Sequence, residues 1–130
     1  MSIYQYGFVG FANIVMAQSI VGCYRLVMDR RQELRAALQR SVLAARGHSS
    51  PLVRQQAANE PATLTGELGA YVAQIHSAAY KITDQQVTAL QGVHSDDEIF
   101  EITIAAAVGK ATTQLEHALA LMQAANKVQP

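Results

Sequence analysis

The stretch SDDEIFEITIAAAVGKATTQLEHALALM, residues 95–122, predicts the central helix of the fold. It opens with a capping box, in which Ser95 accepts from the backbone N–H of Glu98 and the Glu98 carboxylate accepts from that of Ser95. Apolar residues then recur at three- and four-residue spacing: Phe100, Ile104, Val108, Ala111, Leu115, Leu119 and Met122. The residues that widen this face are Ile99, Ile102 and Ala105–Ala107. A helix apolar over so much of its circumference is predicted to lie inside a bundle or an oligomer.

The composition predicts one all-α domain covering residues 1–130. This length is sufficient for a real core, and a chain that is 50% hydrophobic and 15% charged is not of the disordered class. Trp is absent and Pro is scarce, which suits helices. Cys23 is the single cysteine, which excludes an internal disulfide and a Cys-based zinc site. We interpret it as a small buried hydrophobe in a cytoplasmic protein, with a reactive thiolate as the alternative.

The formal net charge is zero, but the two halves of the sequence carry charges of opposite sign. Residues 1–54 carry seven Arg against Asp29 and Glu33, whereas residues 55–130 carry three Lys against eight acids, so that the halves are +5 and −5. We interpret these charges as two solvated faces; the alternative is attraction within or between subunits. Arg30–Arg46 is a basic amphipathic helix, but it lacks interleaved aromatics and any nucleic-acid motif. No nucleic-acid partner is therefore predicted.

The first 28 residues form an apolar N-terminal helix in this interpretation. Residues 1–24 contain no charged side chain, yet polar Asn13 and Gln18 and several glycines interrupt the apolar run. We therefore predict an assembly element buried in a bundle or subunit interface. Membrane contact through residues 3–24 and a targeting sequence are the alternatives, and both are less favoured.

Turn and capping residues divide the rest of the chain. The segment Gly47–Pro51 ends the first long helix, places His48 in a loop and starts a short helix that ends near Pro61. A medium helix starts at Thr63 or Thr65. The short helix that follows it begins at a second capping box, Thr83-Asp84-Gln85-Gln86, and ends at Gly92. The predicted order is long, short, medium, short and long, which makes a bundle of five to six helices.

Two phrases of the C-terminal half resemble a known family. YVAQIHSAAYKITDQQVTAL, residues 71–90, and SDDEIFEITIAAAV, residues 95–108, are similar to the carboxymuconolactone decarboxylase and alkylhydroperoxidase D-like superfamily. In that family a helix ends at a Thr-Asp turn and a long Ala-rich helix follows. The resemblance covers residues 62–122. It implies an alkylhydroperoxidase D-like helical fold and a homo-oligomer.

The dithiol centre that the resemblance implies is absent. Family enzymes carry CxxC and then a His on the helix before the Thr-Asp turn, and the matching positions here are Gly66, Gly69 and Ala73. No cysteine follows Cys23, so dithiol peroxidase chemistry cannot run within one chain. The small residues at these positions suggest close packing against another backbone; alternatively, the two glycines belong to a frayed first turn.

Three polar residues are weak candidates for remaining chemistry: His76, Glu101 and Tyr80. Glu101 shares a helix face with apolar residues, and a partly buried Glu near a His could form a general acid/base pair or half of a metal site. We favour a satisfied half-buried side chain or dimer contact for His76 and an ion pair or helix-end hydrogen bond for Glu101. His94 and His117 are predicted to face solvent. No metal or cofactor is predicted.

The leading hypothesis is therefore a non-redox alkylhydroperoxidase D-like protein that acts as a structural or interaction subunit, or as a small-ligand binder. It predicts a homo-oligomer with a further protein partner as an option. The rival is an enzyme, either a carboxymuconolactone decarboxylase-like lyase using His76 or Glu101 or a peroxidase using an external thiol. A third hypothesis is a membrane-associated subunit.

Overall fold

The computed structural model describes residues 6–127, with side chains from residue 21 onward except Tyr24. Over these residues it contains only helices, as predicted. They are α1 (Tyr6–Leu43), α2 (Pro51–Asn59), α3 (Gly66–Ala78), α4 (Asp84–Gln91) and α5 (Asp96–Asn126). Short 3₁₀ turns at Pro61–Thr63 and Ala79–Lys81 follow α2 and α3. The predicted order of long and short helices is confirmed.

Both predicted capping boxes are formed. At the start of α5 the Ser95 N–H donates to Glu98 over 2.9 Å and the Glu98 N–H donates to the Ser95 hydroxyl over 3.2 Å. At the start of α4 the Thr83 and Gln86 pair makes the same reciprocal contacts. These local bonds fix where two helices begin before any tertiary packing is needed.

The chain divides into two units, and the boundary lies within α1 between Leu38 and Gln39. In the second unit, α2, α3 and α4 pack against the first half of α5. The core consists of Ala57, Tyr71, Val72, Ile75, Leu90, Ile99, Ile102 and Ala106. Helix α3 contributes Tyr71, Val72 and Ile75 to this core.

The buried face of α5 differs from the predicted one. Four of the residues that were expected only to widen the face, Ile99, Ile102, Ala105 and Ala106, are buried together with Gly109, whereas Ala107 is exposed. Phe100 is instead 66% exposed and Met122 63% exposed. Both faces have helical periodicity, so periodicity cannot choose between them; the second unit packs on the face whose small residues allow α2 to approach closely.

Gly66 and Gly69, which the family resemblance would match to the two cysteines, belong to the first turn of α3. Gly66 has a φ of +68°, which favours glycine as the helix begins. A Cβ on Gly69 would lie 2.3 Å from the Leu64 carbonyl oxygen, so the close backbone is the chain just before this helix. Of the two alternatives for these positions, the first-turn location therefore holds for both glycines, while Gly69 packs against the preceding chain and not another helix, and Ala73 is exposed.

The apolar N-terminal segment and the basic helix are parts of the single helix α1. Within this helix, Cys23 is exposed, which contradicts its expected burial. The apolar side of the amphipathic helix predicted over Arg30–Arg46 is exposed at Leu34 and Leu38, which are 60% and 53% exposed. Met1–Gln5 lie outside the described residues. Over the described part of the chain, no helix combines the length and apolar character needed to cross a membrane.

Candidate functional site

Glu101 projects from α5 to the loop before α2, where it accepts several hydrogen bonds. The backbone N–H groups of His48 and Ser49 each donate to its carboxylate over 2.8 Å. The Ser49 hydroxyl donates over 2.6 Å. Because helix α2 begins at Pro51, the carboxylate also lies near the positive end of that helix. The loop is therefore fixed to α5 by one side chain.

Arg54 completes this cluster from within α2. Its Nη1 donates to Glu101 Oε2 over 2.9 Å and to the Ser49 carbonyl over 2.9 Å, while Nη2 donates to the Ala45 carbonyl. The Arg54 side chain is only 3% exposed. Buried guanidinium groups require such paired partners. The ion pair expected for Glu101 is thus present, and it connects the chain after α1, the loop before α2 and α5.

The hydrogen bonds lower the pKa of Glu101 from 4.5 to about 2. The largest cause is the Ser49 hydroxyl, followed by the backbone N–H groups of His48 and Ser49; burial opposes them. All these donors favour the charged carboxylate. A carboxylate that is held ionised and whose oxygens are engaged is a poor proton donor or acceptor near neutral pH.

The histidine nearest to Glu101 is His48, which the sequence placed simply in a loop. Its Nδ1 lies 3.4 Å from Glu101 Oε1 and its Nε2 lies 3.6 Å from Asp97 Oδ2. The His48 side chain is 66% exposed. Glu101 therefore has a histidine beside it, but it is the exposed loop residue His48 and not the candidate His76.

His76 contacts the opposite end of α2. Its Nε2 lies 2.7 Å from the Ala57 carbonyl oxygen, so the ring N–H donates to that carbonyl. The residue four positions after Ala57 is Pro61, which has no N–H to offer. His76 thus satisfies a buried carbonyl that the helix itself leaves open. This agrees with the interpretation of His76 as a satisfied, half-buried side chain.

Removing His76 is expected to destabilise the second unit. The change His76→Ala leaves the Ala57 carbonyl buried without its donor and should lower the free energy of unfolding by about 1–3 kcal/mol. Urea denaturation followed by circular dichroism measures this. His76→Gln, which retains a donor, should recover part of the loss. Equal stability of His76→Ala and the wild type would contradict this role.

The third candidate, Tyr80, lies on the surface. It is 85% exposed, and Lys81 Nζ lies 5.7 Å from the centre of its ring. His76 and Glu101 bond to opposite ends of α2, about 10 Å apart along its axis. The three predicted candidates therefore do not converge on a common reacting atom. His94, expected in solvent, is half-buried, with its Nδ1 3.8 Å from Glu98 Oε2.

A small open cleft borders the Arg54–Glu101 pair. Its volume is about 150 Å³. Its lining residues are Ser41, Val42, Ala45, Arg46, Gly47, Arg54, Phe100, Glu101 and Ile104. The charged groups on its floor are largely engaged with each other and with the loop backbone. Among the described residues, Arg54 Nε is buried without a hydrogen-bond partner.

The sequence interpretation missed Ser49 and Arg54, which make most of this cluster with Glu101. One signal was available: Arg54 is the one charged residue of α2 and lies three and four positions before Ala57 and Ala58, on the same side of that helix. Within the described residues, no group of three or more His, Cys, Asp or Glu side chains is arranged to hold a metal ion. Comparison of the chain with family models, characterised proteins and solved structures gives no match.

Proposed function

We propose that the protein is a non-catalytic interaction subunit whose two long helices bind other protein chains. The observation that carries this proposal is the amount of apolar surface on those helices. Large hydrophobic side chains are exposed on α1 and α5: Val21, Leu26, Val27, Met28, Leu34, Leu38, Phe100, Ile104, Leu115, Leu121 and Met122. Large apolar side chains exposed along a helix are typical of interaction sites.

The second half of α5 gives the clearest support for a partner chain, because it packs against nothing that buries it within the described residues. The helix has 31 residues, but its buried positions lie between Ile99 and Gly109, and none lies within Lys110–Asn126. Among the α1 side chains that the structure describes, none is buried. Most helical stability in proteins comes from packing of an apolar face. Partner chains would supply that packing.

The polar candidates support the same proposal. Glu101 and His76 bond to backbone groups within the chain, which is what structural side chains do. We further propose that the chain is a non-redox member of the alkylhydroperoxidase D-like superfamily, on the strength of residues 71–90 and 95–108 and the absent CxxC. Small-ligand binding is the second candidate, supported by the cleft beside Arg54.

Turnover assays test the proposal against the enzyme alternatives. With hydrogen peroxide and dithiothreitol, or with carboxymuconolactone, we expect no rate above that of buffer. Cys23→Ser is the control for thiol chemistry and His76→Gln for lyase chemistry. A peroxidase rate that Cys23→Ser abolishes, or a decarboxylation rate that His76→Gln abolishes in a folded protein, would overturn the interaction proposal.

A further inference from the structure

The exposed face of α5 is a continuous row opposite its buried face. We call it the outer row, and its residues are Phe100, Ile104, Ala107, Ala111, Leu115, Ala118 and Met122. The four large members are 66%, 37%, 46% and 63% exposed in that order, and the three alanines are exposed as well. At 1.5 Å per residue the row is about 33 Å long.

The spacing of the outer row reads the same in both directions. Its steps are four, three and four residues from Phe100 to Ala111, and again four, three and four from Ala111 to Met122. A helix with this symmetry matches a second copy of itself that runs antiparallel, with Ala111 at the two-fold axis. Such a self-complementary surface is what a two-fold dimer requires.

Residue sizes fit this antiparallel register. Ile104 would face Ala118 of the second copy, and Leu115 would face Ala107. Phe100 would face Met122 at each end, and the two Ala111 residues would meet at the centre. Large side chains thus oppose small ones, which lets ridges of one helix enter grooves of the other.

The charges at the helix ends select the antiparallel direction. Asp96, Asp97 and Glu98 lie in the first turn of α5, and Lys127 follows its last residue. Antiparallel pairing puts the acidic starts of the two helices at opposite ends of the pair and sets the two helix dipoles head to tail, whereas Lys127 lies seven residues after Ala120, on the side away from the outer row. Parallel pairing would set the three acids against their own copies.

The area is also sufficient for a reversible dimer. The outer row offers roughly 500 Å² per chain, or about 1,000 Å² in a pair, near the lower limit for specific interfaces. One flank of the row is already occupied, because Gln39 Nε2 donates to Thr112 Oγ1 over 3.5 Å at the end of α1. Phe100 and Ile104 also border the cleft that Val42 and Ala45 line, yet both stay exposed, as do the other members of the row.

We propose that a second copy of this chain packs on the outer row, α5 against α5, antiparallel about Ala111. This inference rests on the proposed interaction function and names its partner. In this dimer Phe100 and Met122 make the contacts at the two ends of the interface, and the two helices come closest at Ala111.

Disulfide trapping between single-cysteine chains tests the direction. In a Cys23→Ser background, Phe100→Cys and Met122→Cys chains are mixed and oxidised. We expect a disulfide-linked heterodimer from the mixture and only traces of homodimer from either chain alone, because like ends would lie about 33 Å apart. Homodimers of Phe100→Cys alone, or no cross-link in any mixture, would overturn the proposal.

A matched pair of charge substitutions tests the contact itself. Ala111→Glu places two like charges at the two-fold axis and should raise the dissociation constant by about 100-fold or more. Ala120→Glu adds the same charge on the same helix, at an exposed position on the opposite side, and should leave the dimer unchanged. Sedimentation equilibrium gives the masses, and circular dichroism checks that both variants keep their helices.

The outcomes separate this inference from the proposed function. A wild-type chain that stays monomeric at every concentration, or an Ala111→Glu variant that dimerises like the wild type, overturns the α5 dimer. Neither result bears on the turnover assays. Only the enzymatic rates described there would overturn the proposal of an interaction subunit. A dimer that Ala111→Glu dissociates and Ala120→Glu preserves supports the inference.

Discussion

Replacing Glu101 with Gln is expected to lower the free energy of unfolding by about 3–5 kcal/mol at pH 7. The hydrogen bonds that reduce the Glu101 pKa from 4.5 to about 2 correspond to about 3 kcal/mol of stabilisation. The neutral amide also leaves the buried Arg54 charge without its partner, and breaking a buried pair in this way costs about 3–5 kcal/mol. Chemical denaturation of the full chain measures the loss.

The same carboxylate gives stability a defined dependence on pH. The folded pKa lies below the unfolded value, so this stabilisation is fully present above pH 4.5 and is lost as the pH falls towards 2. The wild type should therefore lose about 3 kcal/mol from this group between about pH 5 and pH 2. Glu101→Gln should lack that part of the pH profile.

The control for both measurements is Glu60→Gln, the same substitution at an exposed residue. We expect it to change stability by at most about 0.5 kcal/mol and to keep the acid-dependent loss. If Glu101→Gln were no less stable than Glu60→Gln, or had the same pH profile as the wild type, the cluster would not be the structural link described above.

Local chemistry made the helix boundaries predictable. Ser95 and Thr83 start α5 and α4 because each begins a capping box, and Pro51 starts α2 because its missing N–H costs nothing at the first helical position. These signals act within four residues. A single sequence therefore contains all the information that they need.

A single sequence does not contain enough information to predict which side of each helix is buried and which residues it contacts. The pairing of Arg54 with Glu101 joins residues that are 47 positions apart, and nothing local indicates that distance. The role of His76 was partly predictable, because Pro61, four residues after Ala57, already implies that the Ala57 carbonyl lacks its helical donor. The sequence does not indicate which side chain supplies the hydrogen bond.

The buried face of α5 was mistaken because size, rather than periodicity, selects it. The outer row has larger side chains and so dominated the prediction, whereas the second unit packs on the small residues Ala105, Ala106 and Gly109. Small residues there admit the α2 backbone. The outer row stays exposed, so this one helix carries two apolar faces.

Gly109→Ala tests this close approach and should be strongly destabilising. A Cβ at Gly109 would lie 2.1 Å from the Ala58 carbonyl oxygen and 2.5 Å from its carbonyl carbon. These are backbone atoms, so no side-chain rotation can relieve the clash, and α2 must move away from α5. Overpacking of this kind costs about 1–3 kcal/mol or more, which outweighs the gain of about 1 kcal/mol in helix propensity.

Gly22→Ala is the matched control, because it is the same substitution inside a helix with nothing within 4 Å of the new Cβ. We expect Gly109→Ala to lower Tm by roughly 5 °C and Gly22→Ala to leave it unchanged or slightly raised. Moving α2 also displaces Arg54, so Gly109→Ala and Glu101→Gln should be non-additive in a double-mutant cycle. Strict additivity, or a Gly109→Ala protein as stable as Gly22→Ala, would show that the α2–α5 contact does not hold the cluster together.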